Sequence, residues 1–205
     1  MNDGKYRRSC RRNLVRLFKT GRFLLVLGLF MIFMLYGFSA AALNTKDKKA
    51  KYSEYKIKAA YLYNFAKFVE WPAEELADPS LPLSVCIYGK DPFGAALDSI
   101  KDKTVKGRKL VISRSSEINK LEGCHILFIS PSEKNNLSVI LKKLRDMHIL
   151  TVSDMEGFAS NGGMINLNKV ENKIRLEINL DAAEISGLKM SSKLLKLAKI
   201  IKGKN

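Results

Sequence analysis

Apolar residues recur at three- and four-residue spacing through Lys51–Pro72, KYSEYKIKAAYLYNFAKFVEWP. Ile57, Tyr61, Phe65 and Phe68 make the stripe, and Ala59, Leu62, Ala66 and Val69 widen it. Lys56, Asn64, Lys67 and Glu70 fall on the other side, so the segment predicts an amphipathic helix with a wide buried face. Pro72 ends it, because a proline pushes the residue before it out of helical geometry. A helix this aromatic needs a sheet or a second helix to cover it, and the chain that follows supplies a sheet.

The period then changes from helical to extended and back. LSVCIYG (Leu83–Gly89), KLVISR (Lys109–Arg114), HILFIS (His125–Ser130) and HILTVS (His148–Ser153) read as strands. HILFIS is almost wholly apolar, as a strand covered on both faces must be. Asp91-Pro92 predicts a capped helix through Ile100, and Pro131-Ser132 opens another carried by Leu137, Ile140, Leu141 and Leu144. MINLNKV and KIRLEINL alternate around Glu171-Asn172, the pattern of a β-hairpin. DAAEISG reads as a helical turn capped by Asp181, and MSSKLLKLAKIIKGKN as an amphipathic helix capped by Ser191 or Ser192. The fold class expected is α/β: a three-layer sandwich, its mainly parallel sheet flanked by helices and completed by a C-terminal antiparallel hairpin.

Seven Lys/Arg between Arg7 and Arg22 precede an uncharged run, Phe23–Phe38, and then Ser39-Ala40-Ala41-Ala42. A basic region, an apolar region and an A-x-A pattern make a secretory signal peptide, expected over residues 1–42. An uncleaved inner-membrane anchor is the alternative, since sixteen apolar residues fall just short of a span. Residues 43–50 read as a flexible lead-in and 51–205 as a single domain, in the periplasm.

The leader changes how the charge is read. The formal net charge is +16, but eight Lys/Arg and one acid precede Leu43, leaving +9 for the remainder. An exported chain with no stacking module and no dense Arg cluster is not expected to bind nucleic acid. Cys86 and Cys124 are the cysteines beyond the leader. In an oxidising compartment they are candidates for one disulfide, and both fall in segments of one sheet; two small buried thiols that never meet are the alternative.

The search for chemistry yields little. His125 and His148 have no carboxylate or cysteine at metal-ligand spacing, and no metal or cofactor is expected. Ser130 lacks the glycines of a nucleophile elbow, which leaves a hydrolase using Ser130 or Asp154 without a base. The loop YGKDPFGA lies where open α/β sheets bind ligands, so a small-molecule crevice near Gly89–Gly94 is the alternative to protein binding. The segment DMEGFASNGGM holds the densest cluster of unusual residues. Its paired glycines suit positive-φ backbone before the hairpin, and Phe158, Asn161 and Met164 are its candidate partner-binding residues. In the C-terminal segment Leu194, Leu197, Ala198 and Ile201 make a stripe ringed by Lys193, Lys196, Lys199 and Lys202, the pattern of a helix on a membrane surface or on a sheet.

In order, KAAYLYNFAKFVEWP, VCIYGKDPFG, CHILFIS, LTVSDMEGFASNGGMINL and IRLEINLDAAEISGLKMSSKLLKLAKII resemble the YfiR-like periplasmic family, over about Tyr55 to Ile201. The resemblance implies a non-catalytic regulator that binds the periplasmic sensing domain of an inner-membrane diguanylate cyclase and holds it in a low-activity state. It implies an outer-membrane lipoprotein as a second partner that sequesters the regulator, and allows a homodimer. It also implies a cysteine bridge where Cys86 and Cys124 stand. A further cysteine pair found in the GF…GG loop of the best-known member is missing: Met155 and Gly162 occupy that region.

Overall fold

The structure, a computed structural model, describes residues 47–171 and 173–202. The signal peptide read over residues 1–42 lies outside them. The chain divides into two units, Met1–Lys51 and Tyr52–Asn205. In the first, residues 47–51 are helical, so part of the polar stretch read as a lead-in has regular structure. The second holds all that follows.

Helix α1 covers residues 52–68. Its buried stripe is Tyr55, Ala59, Leu62, Phe65, Ala66 and, just past its end, Val69, while Ile57 is exposed. The stripe is the expected one except at Ile57, and the buried face also takes in Tyr55 and Lys58. The Lys58 side chain is only 2% exposed and sits inside the apolar face because two carboxylates neutralise it. The helix also stops earlier than Pro72. Val69–Glu70 (β1) pair antiparallel with Lys189–Met190 (β9), a two-stranded contact that takes the chain out of helix after Phe68.

Strands β2 (Leu83–Tyr88), β3 (Thr104–Val105), β4 (Arg108–Ser115), β5 (Ile126–Ile129), β6 (Leu150–Ser153), β7 (Ile165–Val170), β8 (Lys173–Asn179) and β10 (Ala198–Ile201) form one eight-stranded sheet. Its order is β10-β8-β7-β6-β5-β2-β4-β3. The run β7-β6-β5-β2-β4 is parallel, β7 and β8 make the expected hairpin, and β3 folds back on β4. Every residue of β5 is buried, and alternation sends them to two cores. Ile126 and Phe128 join Val85, Ile87 and the stripe of α1. Leu127 and Ile129 join Cys86, Met155 and Phe158, with Ile140 and Leu144 of helix α2 (Leu137–Leu144). The mixed α/β sandwich is thus as expected.

Three local expectations are corrected. The segment after Asp91-Pro92 is a 3-10 helix, Gly94–Ser99, because Gly94 stands at φ +51° and Asp91 Oδ1 accepts from Phe93 N (2.7 Å) and Gly94 N (3.3 Å). Helix α3 (Leu180–Ile185) is capped by Asn179, whose side chain accepts from Ala182 N at 3.1 Å, not by Asp181. The C-terminal segment is one turn of helix, α4 (Ser192–Leu195), with Ser191 as its cap, followed by strand β10 beside β8. Leu-Lys repeats suit either period, and the β8 edge offers ladder hydrogen bonds to the β-branched Ile200-Ile201 that a solvated helix end would forgo.

Cys86 on β2 and Cys124 before β5 are disulfide-bonded, with Cα atoms 6.1 Å apart and a sequence separation of 38. The bond closes the loop containing β3, β4 and both connections. A loop of this length removes chain entropy worth about 4 kcal/mol from the unfolded state. Replacing both cysteines by alanine should lower the unfolding free energy by roughly that amount, measured by denaturant titration, and reductant should then have no further effect.

His125 sits at the start of β5, where its Nδ1 accepts from Ser84 N at 3.2 Å and its ring meets Trp71 edge-on. Burial, aided by the Arg108 charge, holds its pKa below the ordinary histidine value despite the opposing charge of Glu75. The unfolded chain, with a histidine pKa of about 6.5, then binds the proton first as pH falls. The contribution of His125 is complete above that pH and is lost as pH drops through the folded value. A His125→Asn variant, which keeps an acceptor toward Ser84, should show a flatter stability profile as pH falls below about 6.5.

Candidate functional site

The carboxyl ends of β2, β5 and β6 are where an α/β sheet of this kind places ligands, and here side chains of the chain itself fill that region. Phe93, from the loop after β2, packs edge-on against Tyr55 (5.0 Å between centroids) and Phe128 (4.7 Å). Asp91 is bonded to Arg114 Nε at 2.7 Å. Ser130 Oγ donates to Lys90 O at 2.6 Å, and Ser132 Oγ accepts from Lys90 N at 3.0 Å. A Cβ on Gly89 would meet Ser132 Oγ and Glu133 Oε1 at 2.6 Å, so glycine is what lets the two loops close on each other. Ser130, the nucleophile of the hydrolase reading, is buried and spent on this closure.

Asp154, directly after β6, is likewise committed. Lys58 Nζ lies 2.6 Å from Asp154 Oδ2 and 2.6 Å from Glu54 Oε1. Tyr55 donates its hydroxyl to the same Asp154 oxygen at 2.7 Å, and Lys169 reaches Glu54 Oε2 at 2.8 Å. The chain of charges thus runs from the β6 end through α1 to β7. Burial would raise the Glu54 pKa, but the hydrogen bonds and charges of Lys169 and Lys58 outweigh it and leave the pKa lowered. The Tyr55 phenol is pushed far up by burial and by the adjacent Asp154 carboxylate, so it stays a neutral donor.

The loop 154–163 that follows is held by packing. Phe158 is fully buried and Met155 nearly so, both in the second core. Of the paired glycines, Gly162 has the positive φ (+96°). Gly163 is needed for space instead: a Cβ there would overlap the Phe158 ring. Asn161 is exposed, its backbone N–H donating to Gly157 O (3.0 Å) and its side-chain amide to the same oxygen (2.9 Å). Buried Asn179 donates to Ala159 O at 3.0 Å while it caps α3, so one side chain fixes loop and helix together. These contacts hold the loop at the positions where the second cysteine pair is absent.

Next to this loop lies a groove of about 300 Å³ between α2 and α3. Leu141 and Arg145 form one bank, Asp181 and Ile185 the other, and Gly162 and Met164 line it from the loop side. Its far end is tied by Ser186 Oγ donating to Arg145 O (3.2 Å) and by His148 Nδ1 against Ser186 O (2.9 Å). Ile185 is 54% exposed and Val139, on α2, 60%, apolar side chains standing in solvent on both helices. Basic groups on one bank and an acid on the other leave the groove bipolar.

Of the three residues expected to touch a partner, Asn161 stands at the surface, Met164 is buried at the edge of this groove, and Phe158 lies wholly inside. Phe158 therefore does not form a surface contact, because the gap left by Gly163 draws its ring into the core. Ile185 and Asn179 were not singled out from sequence. Asn179 carried a signal, an Asn before Leu-Asp at a strand-to-helix change; Ile185 carried none, since exposure of one isoleucine has no sequence signature. Among the described residues no helix is long and apolar enough to cross a membrane, and no three His, Cys, Asp or Glu side chains are grouped to hold a metal ion.

A mixed sheet whose central strand is buried on both faces, a loop bound into the core and a bipolar groove beside it define a small α/β domain. The family model described as YfiR/HmsC-like matches residues 55–199, well over half of the chain. The chain belongs to this family, a regulatory one.

Lys58 gives the site a direct stability test. Removing one partner of a buried ion pair leaves an uncompensated charge and costs about 3–5 kcal/mol. Lys58→Met should lose that much by denaturant unfolding, and Lys58→Met combined with Asp154→Leu should recover most of it.

Proposed function

We propose that the protein is a non-catalytic periplasmic regulator that binds the periplasmic domain of an inner-membrane diguanylate cyclase and holds it in its low-activity state. Membership of the YfiR/HmsC-like family is the observation that carries this reading. The Cys86–Cys124 bond supports export, since such bonds persist in oxidising compartments. The partner surface is the α2–α3 groove with Asn161 on the adjoining loop and Ile185 as its apolar contact. An outer-membrane lipoprotein that competes for the regulator is the second partner.

Regulation of this kind needs no chemistry. The regulator favours one of the cyclase's two states by binding it more tightly, and it shifts activity by no more than that difference in affinity. The small-molecule reading at Gly89–Gly94 has less behind it, because Phe93 fills the space in which a ligand would rest.

The reading is tested by cellular cyclic-di-GMP in a strain lacking the gene. Deletion should raise the nucleotide and re-expression should restore it, while re-expressed Ile185→Asp, altered at an exposed position, should restore little. An unchanged level on deletion, in conditions where the protein is made, would rule out the cyclase as its target.

A further inference from the structure

We propose that the outer edge of β10 takes up an acidic, extended segment of a partner protein as an added strand of the sheet. Of the two edges of the eight-stranded sheet, β3 is two residues long and turns back at once through Lys106 and Gly107, both at positive φ. It is too short to template a strand. β10 has four residues in parallel register with β8, from Ala198 opposite Leu176 to Ile201 opposite Asn179, and no strand on its other side among the described residues. In a parallel ladder alternate residues turn their N–H and C=O to one neighbour and the rest turn outward. The outward set is a ready template for a further strand.

The side chains around that edge determine which strand it accepts. Leu197 is 72% exposed and Ile200 is also in solvent, apolar contacts for an incoming chain. Lys196, Lys199 and Lys202 flank them in sequence and Lys189 and Lys193 precede them, all exposed and none in an ion pair among the described residues. No Asp or Glu occurs from Ser186 to Lys202. Two copies of β10 laid side by side would set lysine against lysine, so the edge rejects itself. An anionic lipid surface would meet the charge but leave the outward backbone groups without partners where the apolar side chains enter it. A glutamate- or aspartate-bearing extended segment meets the charge, the apolar side chains and the open ladder together. This inference stands apart from the cyclase reading, because it rests on a different surface and names no enzyme.

The test uses protein purified from cells expressing the full-length gene. It is titrated with a synthetic peptide alternating glutamate and valine, the lysine-valine counterpart, the glutamate peptide N-methylated at alternate amides, and phosphatidylglycerol vesicles. The glutamate peptide should bind and slow hydrogen exchange at the amides of 198–201. Its dissociation constant should rise about tenfold or more in the variant Lys196→Glu/Lys199→Glu/Lys202→Glu, an exposed set whose fold is checked by circular dichroism. The lysine peptide and the N-methylated peptide should bind at least as much more weakly. Equal binding of the N-methylated peptide would reduce the effect to charge alone and overturn strand addition. Absence of peptide binding, protection elsewhere in the chain, or binding of vesicles only would overturn it as well.

Discussion

The four residues of β5 are all buried, and the rest of the domain follows from having to cover both sides of them. Ile126 and Phe128 need one apolar layer and Leu127 and Ile129 another. α1 and the segment around Phe93 supply the first; α2, Met155 and Phe158 supply the second. Neighbouring strands repeat the division, with Val85 and Ile87 of β2 on one side and Cys86 on the other. Parallel order suits strands buried on both faces, and the disulfide closes across the second core, where the apolar cluster is smaller.

Polar groups that this arrangement buries are used to join elements rather than to perform chemistry. Thr151 accepts from Met164 N at 3.1 Å and Ser153 donates to Ile129 O at 2.7 Å, so the polar residues of β6 secure the strands and loop beside it. Asn179 links the loop to α3, and Lys58 links α1 to the end of β6. Each would cost several kcal/mol if left unpaired, which makes these joins specific as well as strong. The outcome is a domain whose buried polar groups are turned inward, with a groove and a strand edge turned outward.

Most of the architecture was legible because period is a strong signal. The near-continuous apolar run of HILFIS marked the central strand, and the alternation around Glu171 marked the hairpin. Errors arose where a tertiary contact overrode the local pattern. Ile57 was read into the α1 stripe, but it is exposed, while Lys58 is held in the buried face by Glu54 and Asp154. The C-terminal Leu-Lys repeat fits a helix, but an open β8 edge drew Ala198–Ile201 into the sheet. In the candidate site, the glycines announced an unusual loop without saying which way Phe158 would turn. Gly163 decides that by leaving room for the ring. The cysteine pairing was legible from compartment and sheet placement; the α2–α3 groove was not, since it is made from residues 141 to 186 that no local motif connects.

The central claim is that the protein restrains a cyclase by binding it, and the most direct measurement is made on the enzyme itself. Membranes solubilised from a strain lacking the gene would be assayed for conversion of GTP to cyclic-di-GMP while purified protein is added. The account predicts a saturable fall in rate, with Ile185→Asp requiring more protein to reach it. A rate unchanged up to a large excess of the protein, in membranes whose cyclase is active, would contradict it.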